Sequence, residues 1–138
     1  MKLSISEILK RASEMPDVPS RAMWLRNNYS EALKTILIGF YSPYIKWLLP
    51  EGEPPYKVND LVDQQHRLYT EARKMYLFVE GGNPGLNQLR RETLFIEMLE
   101  SLDPEDAKLV LAMKEGVMPY SNITKDFIVQ TFPGMIPE

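Results

Sequence analysis

The chain has 138 residues, 44% of them hydrophobic and 25% charged, with a net charge of −3 and no cysteine. That length supports one ordinary domain able to bury about two thirds of the surface of its unfolded form, so no disulfide or metal is needed for folding. The missing cysteines exclude thiolate metal sites, disulfides and a cysteine nucleophile, and the acidic, interleaved charge argues against binding dominated by nucleic-acid phosphates.

In chain order, SISEILKRASEM predicts a first helix. Ser4 and Glu7 have capping-box spacing, and Ile5, Ile8, Leu9, Ala12 and Met15 form one apolar stripe. Glu7 and Arg11 are an i,i+4 pair, and Pro16 ends the element. Ser6, Glu7 and Lys10 interrupt the opening stretch too early for a secretory signal. A second helix is predicted from Pro19 through Tyr41, with Asp17 as a cap and with Gly39 and Pro43 marking its exit. Its distal half is apolar all round, which predicts burial on several sides. The most apolar stretch, residues 35–50, is short for a membrane span and contains Pro43 and Lys46. SPYIKWLLP reads as a short strand or an irregular extended segment, and EGEPPYKVN as a loop.

DLVDQQHRLYTEARKMYLFVE, residues 60–80, predicts the clearest helix: Leu61, Leu68, Ala72, Met75 and Val79 share a side, and Asp63, Arg67 and Glu71 form an i,i+4 ladder. Gly81 and Gly82 stop it, and Asn83-Pro84 starts the next helix, which runs to about residue 102. Asp103-Pro104 caps a fifth helix over PEDAKLVLAMKE, ended by Gly116. Thr124 caps a last helix, KDFIVQTF, ended by Pro133 and Gly134. The expected fold is a single all-α domain, residues 1–138, of five or six helices with short Pro/Gly-rich connections.

Catalytic patterns are thin. His66 is the only histidine. With Asp63 it makes a D-x-x-H spacing, but a di-metal bundle site needs two such motifs and two more glutamates, so a solvated helix face is the plainer reading. No serine stands in a G-x-S-x-G elbow, and Gly81-Gly82-Asn83-Pro84-Gly85 lacks the Walker lysine and a preceding strand. Residues 104–132 have the order of a helix-turn-helix. The second helix offers Phe127, Ile128, Val129 and Phe132 with Lys125 as its only base, which suits packing better than base readout. No cofactor and no metal is expected.

What remains is a basic-aromatic zone: Arg21, Trp24, Arg26, Tyr29, Lys34, Tyr41, Tyr44, Lys46 and Trp47. Such residues anchor protein partners or stack bases, though most large aromatics in a small domain belong to its core. The apolar closing stretch must be covered by its own domain, another subunit or a partner, and own-domain packing is the default. The candidate contact residues are Tyr44, Trp47 and Tyr56, around the proline-rich loop, with Phe132, Met135 and Ile136 in the tail.

The order DAKLVLAMKEG, MPYSNIT and DFIVQTFPGMIPE, with the opening helix SISEILKRAS, resembles a family of small, functionally unassigned proteins of T4-like tailed phages, including phages of cyanobacteria. Tyr120, Ile123-Thr124 and Phe132-Pro133 carry most of the resemblance. It implies a phage accessory protein in the host cytoplasm and brings no catalytic residues. The expected function is non-enzymatic: binding a host or phage macromolecule through surface contact, with no membrane partner and with the oligomeric state open. The alternatives are a nucleic-acid-associated protein using Arg21, Arg26, Lys34, Lys46, Arg90 and Arg91, or a minor virion component.

Overall fold

The computed structural model describes residues 2–138, which contain seven α-helices and no β-strand. They are α1 (Ile5–Ser13), α2 (Val18–Asn27), α3 (Glu31–Tyr41), α4 (Arg67–Glu71), α5 (Gln88–Ser101), α6 (Pro104–Glu115) and α7 (Lys125–Thr131). A 3₁₀ segment, Ala72–Phe78, follows α4 directly. The all-α expectation holds, with seven helices where five or six were expected.

Local chemistry sets most of the ends. Ser4, Asp17, Ser30, Asn87, Asp103 and Thr124 each accept a backbone N–H of the first turn they precede. Gly116 ends α6 at φ 77°, in the left-handed region that a β-carbon disfavours. Glu7 pairs with Arg11 at 3.0 Å along α1.

Two expected elements come out differently. The helix expected from Pro19 to Tyr41 breaks at Asn28–Ser30. The Asn28 side-chain amide donates to the Trp24 carbonyl at 2.8 Å, ending α2, and Ser30 Oγ accepts the Leu33 N–H at 3.1 Å, starting α3. Gly39 marks no exit: it lies inside α3, where a β-carbon would come within 2.3 Å of Met113 Sδ. The absent side chain lets α3 approach α6.

The helix expected over residues 60–80 is confined to its second half. Leu61 N–H turns back onto Asn59 Oδ1, and Asp63 takes a positive φ of 59°, so the chain before Arg67 is irregular. Leu61 and Val62 are exposed, and of the expected ladder only Arg67–Glu71, at 3.6 Å, forms among the described ion pairs. Beyond Leu68 the buried apolar residues of this stretch are Ala72, Met75 and Phe78, a spacing of three that matches the 3₁₀ repeat better than the α repeat. The next helix starts at Gln88 behind Asn87, later than Asn83-Pro84 suggested.

Helix α3 lies at the centre, against α6, α4 and the 3₁₀ segment. α1 packs on α2 and α6, α5 on α6 and the 3₁₀ segment, and α7 on α2. Leu33, Ile36 and Leu37 of α3 join one apolar cluster to which every helix contributes, with Phe78 edge-on to Phe95 at 5.2 Å between ring centroids. Segment 42–66 wraps the outside. Its one ladder-like contact is Trp47 against Val79, where Leu48 N–H donates to Phe78 O at 2.8 Å and Glu80 N–H to Lys46 O at 2.9 Å. No helix among the described residues is long and apolar enough to cross a membrane.

Two buried charges brace this arrangement. Lys114, its side chain 3% exposed, donates to Pro50 O and Gly52 O, each at 2.9 Å, and to Glu115 Oε1 at 2.6 Å. Its three protons are thereby matched by three acceptors. Asp106, fully buried in the first turn of α6, accepts the Ser6 N–H of α1 at 2.9 Å, while its other oxygen has no partner. Burial, reinforced by the charges of Asp103 and Glu105 against the relief from Ser6, pushes the Asp106 carboxyl up to about 6.

Replacing Lys114 by Ala strands two carbonyls and frees the loop; a loss of about 3 kcal/mol in urea unfolding is expected, with faster amide exchange at residues 50–57. For Asp106 the folded form holds its proton more tightly than the unfolded chain. Its contribution is therefore most favourable below about pH 4 and is lost as pH rises through about 6. Between about pH 4 and about pH 7 the native protein should lose roughly 2 kcal/mol relative to the Asp106→Asn variant, read from denaturation midpoints across pH.

Candidate functional site

The structure separates the six residues singled out from the sequence. Trp47 is half-buried, with its backbone bridged to Val79 and its ring against the Gly39 position of α3. Tyr56 is half-buried on the core, the pKa of its hydroxyl raised first by burial and then by the nearby Glu53 charge. Both serve the wrapping segment. Ile136 is buried, 6% exposed, and anchors the tail to its own domain. Tyr44 is 70% exposed, and its hydroxyl donates to the Glu138 carbonyl, so it touches the tail's far end. Phe132 and Met135 are half-buried and remain open to a shared groove.

That groove, about 440 Å³, is built between the α2–α3 region and the C-terminal tail. Arg26 at the end of α2, Tyr29 in the α2–α3 break and Lys34 in α3 form one wall. Thr131, Phe132, Pro133, Gly134 and Met135 form the other. The helix break is what brings Tyr29 there: its ring meets Phe132 at 5.8 Å between centroids, tilted by 50°. Arg26 Nε donates to the Thr131 carbonyl at 3.0 Å, tying α2 to the end of α7. At Gly134, φ 82° turns the chain so that Ile136 can bury beneath.

Electrostatically the groove is one-sided. No aspartate or glutamate lines it. Among the described ion pairs none involves Arg26 or Lys34. Beside the groove, Glu31 meets the Tyr29 hydroxyl at 3.2 Å; burial first, and this contact second, raise the pKa of that hydroxyl.

The other bases considered for nucleic acid do not converge here. Arg91 is buried and donates to the carbonyls of Leu77, Asn83 and Leu86 and to Gln88 Oε1. Arg21 donates to Met15 O and lies over the Phe127 ring at 5.5 Å. Helix α7 lays Phe127 and Ile128 into the core against α2, the packing role expected of it.

A second cavity, about 290 Å³, lies under the proline-rich loop between Leu49–Pro55 and α5, with Phe95, Ile96 and Lys114 on its floor. The Lys114 protons are already committed to the loop, so the cavity offers apolar walls without a free donor from that residue. His66 is exposed, and Asp63 sits in the left-handed turn, so the pair does not share a helical face. No group of three or more His, Asp or Glu residues among those described is placed to hold a metal.

A model described as a family of unknown function (DUF6433) matches residues 8–119, most of the chain, and the chain belongs to that family. The matched region includes Arg26, Tyr29 and Lys34 and stops before Phe132 and Met135. No curated protein and no solved structure matches the chain.

Truncating Arg26 to Ala removes the one side-chain bond between α2 and the Thr131 carbonyl. Tail amides from residue 131 onward should exchange several-fold faster, while the melting temperature of the core moves little, a cost of about 1 kcal/mol.

Proposed function

We propose that the protein is a phage accessory protein that acts in the host cell by binding a host or phage macromolecule through the groove between the α2–α3 break and the C-terminal tail. The observation that carries this reading is the meeting of Tyr29 and Phe132 at an open groove whose other walls include Met135 and two cations without described ion-pair partners. Binding energy concentrates where aromatic and arginine side chains can be desolvated together, ringed by polar groups. The phage and host setting rests on the resemblance of the helix order and of Tyr120, Ile123-Thr124 and Phe132-Pro133.

A nucleic-acid partner has less support. Of the six bases considered, Arg91 is enclosed, Arg21 is half-buried on Met15 O and Phe127, and only Arg26 and Lys34 line the groove.

The test is affinity capture from phage-infected lysate with the native protein and with a Tyr29→Ser/Phe132→Ser variant. A partner held by the native chain should fall by about tenfold or more on the variant, the loss of two aromatic anchors at about 1 kcal/mol or more each. Equal recovery from both, with circular dichroism showing both folded, would remove the groove from the function.

A further inference from the structure

We infer that the segment this groove receives is an acidic peptide, its carboxylates set against Arg26 and Lys34 and an adjoining apolar side chain against Phe132 and Met135. The inference rests on the groove reading above and names the chemistry of its partner.

Charge balance supplies the first argument. The chain carries 19 acids against 16 bases. Five of its cations sit in ion pairs, and Arg91 is spent on backbone carbonyls and Gln88. In so acidic a molecule, a groove with two cations and no acid is a local reversal of sign. Lys34 is only partly exposed and has no described carboxylate partner, so part of its hydration is already lost. An incoming carboxylate restores what burial removed.

Geometry supplies the second. Arg26 is oriented by its Nε bond to Thr131 O, which leaves both terminal nitrogens without a described bond. That pair of donors matches the two oxygens of a carboxylate. Tyr29, Phe132 and Met135 give the same groove an apolar and aromatic floor, which a free inorganic anion would not use. The site is an open trough of about 440 Å³, suited to a few side chains of a passing segment.

A polynucleotide fits less well. Two phosphate contacts give a salt slope of only about −1.8, against the six to ten contacts typical of firm binding.

The experiment is selection of a random dodecapeptide display library on the native protein, with counter-selection on the folded Arg26→Gln/Lys34→Gln variant. Winners should be enriched in Asp or Glu beside an aromatic or aliphatic residue. A synthetic winner, followed by fluorescence anisotropy, should weaken by about tenfold on the double variant, which corresponds to about 1.4 kcal/mol. Raising salt should weaken it as well. Absence of winners, winners without acidic excess, or equal binding to the double variant overturns the inference. So does tighter binding of an oligothymidylate of matched length, which would reassign the groove to single-stranded nucleic acid.

Repeating the lysate capture with Arg26→Gln/Lys34→Gln separates the two claims. A partner lost with Tyr29→Ser/Phe132→Ser but retained here sinks only the acidic chemistry. A partner retained by both variants sinks the groove itself.

Discussion

Peptide groups outside a helix or sheet must find other partners, and this requirement governs how the long irregular part of the chain is held. Segment 42–66 has little backbone pairing of its own, so side chains from the helices reach out to it. Lys114 takes the Pro50 and Gly52 carbonyls, Glu115 accepts the Gly52 N–H, Glu100 accepts the Lys57 N–H, and Gln88 donates to Leu48 O. In return Asn59 donates to the Ser101 carbonyl. Arg91 does the same for the turn between the 3₁₀ segment and α5. The wrapping layer is thus a set of polar straps laid over an apolar core. Losing a strap exposes carbonyls that nothing else in the chain is positioned to meet.

The parts of the fold legible in the sequence are those governed by local chemistry. Ser4, Asp103 and Thr124 place helix starts, Gly116 places an end, and α1, α6 and α7 follow. What was not legible depended on contacts between distant segments. An unbroken apolar pattern from Pro19 to Tyr41 conceals a break, because the Asn28 and Ser30 side chains offer the backbone an alternative to helical bonding that helps α2 and α3 diverge. Residues 60–66 carry helical charge spacing but little that reaches the core. Leu61 and Val62 remain outside, and Asn59 and Asp63 turn the chain instead.

The site was half visible for a similar reason. Sequence clustering of cations and aromatics picked out Arg26, Tyr29 and Lys34, and apolar content picked out Phe132 and Met135. Nothing in one dimension says that these two sets face each other. Their meeting depends on α7 packing against α2 and on Ile136 sinking into the core to fix the tail's direction. Trp47 and Tyr56 looked equally suited by composition, but the bridge to Val79 and the burial of Tyr56 assign them to the wrapping segment.

Gly39 and Met113 meet where the central helix crosses α6, with no room for even one added carbon between them. The two positions are therefore yoked. A bulkier residue at 39 in some diverged descendant would have to arrive with a shorter or re-oriented side chain at 113, or the crossing would widen and its effects would spread. Met113 sits beside Lys114, the residue that secures the wrapping loop, and Trp47 of that segment lies against the same glycine, so drift at one silent-looking position would be felt in the layer laid over the core.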